Sequence, residues 1–303
     1  MTTIRIGTRG SSLALAQANW VKRQIQNQYP EASVELVVIK TSGDRFVDAA
    51  IQAMGGKGVF TKEIEEALLR REIDVAVHSM KDLPTDLGPG LVIAAVPHRE
   101  DPRDVLVSRS SAGLSELQSG ATVGTGSLRR QAQLRHYRSD LSLVPIRGNV
   151  DTRLKKLDAG EVDALVMAAA GLKRLGREDR ITEYITAEIC VSAVAQGALA
   201  LEAREDEAQR GRLSFLHHDV TFAEVTAERS FLKRLGGGCH VPVGARAYAE
   251  GDNLRMKGVV ARPDGSALCG GTTSGSIADA ALLGKQLAEQ LLRDGADKIL
   301  AIS

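Results

Sequence analysis

The spacing of apolar positions changes period twice before residue 40. Ile4–Gly7 alternates like a strand, and Ser11–Gln28 has the composition of a helix that ends near Pro30. Val34–Ile39 is a near-continuous β-branched run, which predicts a strand covered on both faces. Thr41–Gly58 is rich in Gly and polar residues and has no clear period. It is too long for a routine connection and predicts a mobile loop. Phe60, Ile64, Ala67 and Leu68 then share one helical face, and Ile73–Val77 reads as another buried strand. His78-Ser79-Met80-Lys81-Asp82 sits at the C-terminal end of that strand, where ligands bind in open α/β sheets.

The charged segment His98–Arg103 contains Pro102 and reads as a linker. A second pattern follows: strands at Val105–Val107, Ala121–Val123, Leu141–Ile146 and Ala164–Val166, a basic helix from Leu128 and a helix around Thr152–Leu157. Alternating strands and helices predict mainly parallel sheets. After Thr221 the pattern changes. Phe222, Val225, Leu232 and Leu235 mark a helical face ending in Gly236-Gly237-Gly238. Short alternating stretches Gly244–Ala249 and Leu254–Val260 and turns at Gly251-Asp252-Asn253 and Pro263-Asp264-Gly265 predict hairpins. A last helix carries Ile277, Ala281, Leu287 and Leu291 inward and stops at Gly295. The expected C-terminal unit is a small α+β domain.

At 303 residues the chain is long enough for two or three domains. Only 3% is aromatic, so Ala, Val, Leu and Ile must build the core. No apolar run approaches membrane-spanning length, and Met1–Gly7 lacks the form of a secretory signal; no membrane association and a cytoplasmic location are expected. With 39 Lys+Arg against 38 Asp+Glu the net charge is +1, so any basic site must be local. Cys190, Cys239 and Cys269 are an odd number without metal-ligand spacing. That argues against a disulfide framework and a metal site, and leaves room for one special thiol.

The basic residues are placed unevenly. Arg9, Arg129, Arg130, Arg147 and Arg153 each follow a predicted strand or open the next helix, as does Lys81. Helix N-termini attract anions, and guanidinium pairs in a fork with carboxylate or phosphate. Five arginines at equivalent positions therefore favour a polyanion site over scattered surface charges. Gly124-Thr125-Gly126-Ser127 before a helix resembles an anion cradle, while Gly55-Gly56-Lys57-Gly58 lacks the G-x-x-x-x-G-K-[ST] spacing of a nucleotide loop. Asp82 among these cations is either a turn cap or a carboxylate able to accept N–H bonds and stabilise a developing cation. Three glycines precede Cys239 and leave its loop without side chains, a setting equally suited to attachment of a group or to an inert thiol.

These residues together resemble the hydroxymethylbilane synthase family over essentially the whole chain. The resemblance rests on Thr8-Arg9 with Ser11, Gly55–Gly58, His78–Asp82, Arg99-Glu100-Asp101-Pro102-Arg103-Asp104 and Ser127-Leu128-Arg129-Arg130-Gln131. Arg147-Gly148-Asn149-Val150, Ala170–Gly176, and Gly237-Gly238-Cys239 followed by Val241-Pro242 complete it. It implies two α/β domains like type II periplasmic binding proteins plus a C-terminal α+β domain. Domain 1 would use residues 1–98 and about 198–217, domain 2 103–192, and domain 3 219–303.

The resemblance also implies the reaction: four porphobilinogen molecules are joined, with loss of ammonia, onto a covalent dipyrromethane, and linear hydroxymethylbilane is released by hydrolysis. Cys239 would carry the dipyrromethane through a thioether, and Asp82 would be the catalytic carboxylate. Lys81, Thr125, Ser127, Arg129, Arg130 and Arg153 match cofactor-contacting positions. Arg9, Ser11, Gln17 and Arg147 match the neighbourhood of the incoming substrate, Arg174 and Gln196 match cleft positions, and Lys57 belongs to the loop. The enzyme would be a monomer that binds no nucleic acid. Ser12, Gly126 and Ala195 stand where the family commonly has Pro, Ser and Gly, and Ala195 lies near an interdomain crossover. The competing expectation is a solute-binding protein for a small dicarboxylate or oxyanion, which gives Cys239 no role. A nucleic-acid-binding module would want a basic net charge and aromatic platforms.

Overall fold

The computed structural model describes residues 3–42, 61–205, 211–236 and 242–301. The chain divides into two compact units, Met1–Arg99 with Ala198–Phe222, and Glu100–Gly197 with Ala223–Ser303.

In the first unit β1 (Thr3–Thr8) leads into α1 (Ser12–Gln28) and β2 (Ser33–Val38). Ser11 caps α1 by accepting the Ala14 N–H at 3.3 Å. The apolar stripe Ala18, Val21 and Ile25 then packs on Ile4, Ile6, Val75 and Val77. On the opposite sheet face α2 (Lys62–Leu69) buries Ile64, Ala67 and Leu68 against Ile73, Ala76 and Leu91. Adding β3 (Val75–Ser79), β4 (Leu91–Ala95) and a late strand, β10 (Leu199–Arg204), gives the order β2-β1-β3-β10-β4. The β-branched run at 34–39 is not covered on both faces. β2 is an edge strand in which Val34 alone is buried. The residues of the expected loop beyond Ser42 lie outside the described residues.

The sheet of the second unit is built from β5 (Asp104–Ser108), β6 (Thr122–Gly124), β7 (Ser142–Val144), β8 (Ala164–Ala168) and β9 (Glu183–Ile185). Helices α3 (Leu128–Tyr137), α4 (Val150–Asp158) and α5 (Ala169–Arg174) lie between them in sequence. The order β7-β6-β8-β5-β9 repeats that of the first sheet: second, first, third, reversed, fourth. This is the type II periplasmic-binding-protein arrangement, and it occurs twice. The sheets are mixed, not mainly parallel, because β10 runs antiparallel to β3 and β4, and β5 to β8 and β9. A parallel neighbour needs a returning crossover; β5 and β10 are each reached without a helix that would supply one.

The C-terminal residues form α6 (Asp219–Arg234), an antiparallel meander β11 (Val243–Glu250), β12 (Asn253–Ala261) and β13 (Leu268–Ser276), and α7 (Ala280–Leu291). The buried face of α6 carries Val225, Ala227 and Phe231, with Leu235 just beyond, while Phe222 is exposed. In α7 the inward residues are Leu283, Leu287 and Leu291, whereas Ala281 is exposed. β13 has no apolar alternation because its glycines serve the packing. A Cβ on Gly271 would stand 3.1 Å from Leu291, and one on Gly275 2.8 Å from Leu283. Bare backbone lets α7 lie close on this strand.

Candidate active site

Within the first unit β1 and β3 run parallel, so the residues following both strands emerge at the same sheet edge. Arg9 and Ser11 follow β1, Gln17 lies on α1, and Ser79 with the 3-10 turn Met80–Asp82 follows β3. Gln17 is buried and hydrogen bonds through Nε2 to the Ser79 hydroxyl at 2.8 Å. The Met80 N–H donates to the Ala198 carbonyl at 3.0 Å and pins the turn to the chain entering β10. Arg9, Ser11, Gln17, Ser79 and Asp82 line one pocket. Lys81 and Asp82 are both exposed in the turn. His78 lines the same pocket and pairs through Nε2 with Glu202 Oε2 at 2.9 Å, an interaction 124 residues apart. The sequence offers no local signal for that pair.

The second unit gathers the remaining arginines. Ser127 caps α3 by accepting the Arg130 N–H, and Thr125 is buried beside it, accepting the Ser127 N–H at 3.3 Å. Arg129 and Arg130 point inward and share Asp104. Arg129 Nη1 reaches Asp104 Oδ2 at 2.7 Å; Arg130 Nε and Nη2 reach Oδ1 at 2.9 and 2.8 Å. Gln196 Nε2 adds a bond to the same Oδ1 at 2.8 Å and another to the Pro102 carbonyl at 2.7 Å. Burial works to raise the Asp104 carboxyl, but the two guanidinium charges and these hydrogen bonds outweigh it and hold the group far below the ordinary carboxylate range. In the sequence Asp104 was legible only as the last residue of the Arg99–Asp104 motif, just before the apolar run Val105–Val107, and nothing local pairs it with Arg129 or Arg130. Cys190 lies against the same network at 3.4 Å from Asp104. Burial first, then the Asp104 charge, pushes its thiol up to about 12.

Arg147 is exposed, while Arg153 is half-buried and donates Nε to the Gly148 carbonyl at 2.9 Å. Burial, then the charges of Arg130 and Arg147, hold Arg153 below the ordinary arginine value. Arg174 donates Nη2 to the Gly197 carbonyl at 2.7 Å, and burial lowers it to about 10. The structure therefore brings Arg9, Ser11, Gln17 and Asp82 to one pocket, and Arg130 and Arg147 each within electrostatic range of Arg153. Arg129 and Gln196 belong to the buried Asp104 network, and Thr125 is buried beside the cap of α3. Lys57 and Cys239 lie outside the described residues.

Residues 4–211 match the family model described as "Porphobilinogen deaminase, dipyromethane cofactor binding domain", and residues 222–293 match that of the porphobilinogen deaminase C-terminal domain. The chain belongs to the porphobilinogen deaminase family. The porphobilinogen deaminase of Pelotomaculum thermopropionicum is 53% identical over 298 residues, covering 98% of this chain and 96% of its own. Those of Syntrophotalea carbinolica and Geotalea uraniireducens are 50% and 49% identical over 99% of this chain, covering 96% and 95% of theirs. Porphobilinogen deaminase is hydroxymethylbilane synthase. The chain is thus a transferase of tetrapyrrole biosynthesis that takes porphobilinogen as substrate and dipyrromethane as cofactor. Membership disfavours the alternative of solute binding without chemistry.

Proposed function

We propose that Asp82 is the catalytic carboxylate of this synthase and that Cys239 carries the dipyrromethane through a thioether. In this reading Lys81, Thr125, Ser127, Arg129, Arg130 and Arg153 serve the cofactor, and Arg9, Ser11, Gln17, Arg147, Arg174 and Gln196 the substrate. The observation that carries it is the electrostatics of Arg153: the described charges that act on it, Arg130 and Arg147, are both positive. Like charges held together in a partly desolvated place are costly unless an anion joins them. Each pyrrole ring of substrate and cofactor brings an acetate and a propionate, so the residues present fit the group.

When bound, the dipyrromethane supplies the pyrrole α-carbon to which the first substrate ring is joined. The arginines neutralise and orient the carboxylates, and Ser11 and Gln17 offer hydrogen bonds at the pocket wall. Asp82, exposed in the same pocket, meets the positive charge that develops when the C–N bond to ammonia breaks. A carboxylate aimed at that charge acts by electrostatic stabilisation. Cys190 and Cys269 are poor candidates for the thioether, since burial raises both thiols and thiolate is the nucleophile.

The same reading takes residues 1–98 with about 198–217, 103–192, and 219–303 as three domains. It makes the enzyme a cytoplasmic monomer that needs no nucleic acid. No helix among the described residues is long and apolar enough to cross a membrane.

Asp82→Asn tests the assignment, because it keeps shape and removes the charge. Once mass spectrometry confirms that the variant holds its cofactor, turnover should fall by about 10²–10³. Turnover close to wild type would return Asp82 to a turn-capping role.

A further inference from the structure

Glu202 and His78 form a buried couple beside the Asp82 pocket that none of the assigned roles uses. In the antiparallel pairing of β3 with β10, His78 faces Ala200 and Glu202 faces Ala76. The two side chains are therefore diagonal neighbours on one sheet face, the face on which Ala76 meets α2. Glu202 is fully buried and His78 nearly so. Nε2 of His78 lies 2.9 Å from Glu202 Oε2. The second carboxylate oxygen, Oε1, is buried without a partner among the described residues. The hydrogen bond of the His78 ring among the described residues is the one through Nε2, which leaves Nδ1 to the imidazole's other edge. His78 lines the pocket that Asp82 also lines.

A buried carboxylate with one open oxygen is costly, and it is stabilised when its partner becomes cationic. The arrangement is that of an orienting acid behind an imidazole: the acid fixes which nitrogen carries the resting proton and stabilises the imidazolium that forms. Joining one pyrrole to another produces a proton. The incoming ring's aminomethyl group, in its ammonium form, leaves as its C–N bond breaks and the electron pair goes with neutral ammonia; a C–C bond forms to the α-carbon of the attacking ring. The α C–H bond then breaks, its pair restores the aromatic ring, and the proton needs an acceptor. In the reading proposed above, Asp82 is the group set against the positive charge of these steps, which leaves the proton to a second acceptor.

We infer that His78, oriented by Glu202, is the acceptor of the α-proton released at each ring addition. Nδ1 takes the proton and yields it to the ammonia already released in that addition, which ends as ammonium. The inference rests on Asp82 and the pocket being the reaction site.

The test compares porphobilinogen with porphobilinogen deuterated at its free α-carbon, using holoenzyme whose cofactor is confirmed by mass. Glu202→Gln keeps size and an acceptor for Nε2 but removes the charge, and His78→Asn removes the imidazole. In both, ring addition should slow by roughly 10²-fold or more, and the deuterium isotope effect on addition should exceed that of the wild type. Intact-mass spectra should show variants stalled with added rings still attached. Independently of turnover, 15N shifts of His78 in the resting wild-type enzyme should show Nε2 protonated and Nδ1 bare.

A slowed Glu202→Gln enzyme with an unchanged isotope effect would mean that the couple only supports the strand, and would overturn the inference. So would near-native rates, or a resting proton on Nδ1. If His78→Asn does not fold, Glu202→Gln and the wild-type 15N shifts decide. Failure of the underlying site reading shows separately, as an Asp82→Asn enzyme that turns over normally.

Discussion

Asp104 holds Arg130 through a single oxygen, with Nε at 2.9 Å and Nη2 at 2.8 Å on Oδ1. The other oxygen takes Arg129 at 2.7 Å. One fully buried carboxylate thus compensates two nearly buried guanidinium groups. It also ties the first residue of β5 to the first turn of α3. Removing one member of such a group leaves charge without compensation, which is more damaging than never having the pair.

Asp104→Asn should cost about 3–5 kcal/mol in urea unfolding at neutral pH. The sign with pH follows from the depressed carboxyl. Its stabilisation is complete above the unfolded value near about pH 4 and is lost as pH falls toward the folded value. The variant should therefore show a flatter loss of stability below about pH 4 than the wild type. A neutral-pH change under about 1 kcal/mol would place Asp104 with ordinary exposed pairs.

Arg153→Leu and Arg130→Leu should fail differently. Arg153 is repelled by Arg130 and Arg147, so its loss should leave the urea midpoint unchanged or slightly raised. Binding of carboxylate-bearing rings should weaken by about 2 kcal/mol or more, read as incomplete cofactor loading by mass. Arg130→Leu should lower loading and stability together, because it also strips Asp104 of a partner. Equal stability losses in the two variants would contradict the electrostatic reading of Arg153.

The three cysteines should separate by mass. Cys239→Ser should abolish the dipyrromethane adduct, while Cys190→Ser and Cys269→Ser should retain it. At pH 8, thiol reagents should leave Cys190 unmodified in the folded protein, since its thiol is pushed up to about 12. An adduct found on Cys190 or Cys269 would reassign the attachment site.

Two neighbouring positions should respond oppositely to Cβ. Gly197 has φ +87, and a Cβ there would stand 2.2 Å from the Glu100 carbonyl oxygen. Its own carbonyl accepts from Arg174. Gly197→Ala should destabilise by at least about 1–3 kcal/mol and impair activity through Arg174. Ala195 tolerates φ 58 while its N–H donates to Glu228 at 2.6 Å. Ala195→Gly should change unfolding free energy by less than about 1 kcal/mol, because strain relief is offset by added freedom of the unfolded chain. A clear loss of stability in Ala195→Gly would show that the methyl group packs favourably.

What the sequence determined by itself was whatever local period and capping control. The strand at Ile4–Gly7, the helix opened by Ser11, the turn carrying Lys81 and Asp82, and arginines placed after strands all rest on residues within a few positions of one another. The family motifs identified the reaction in the same way, as short runs in order. The tertiary structure decided what no local run contains. β5 and β10 lie reversed in their sheets because of where the chain enters them, and β13 is a strand whose glycines suit α7 and not a pattern of its own. Asp104 finds Arg129 and Arg130 across 25 and 26 residues, and His78 finds Glu202 across 124. A buried charge is tolerated only beside its partner, and that partner is chosen by the folded sheet, so which arginines turn inward and which remain for a ligand was settled in three dimensions.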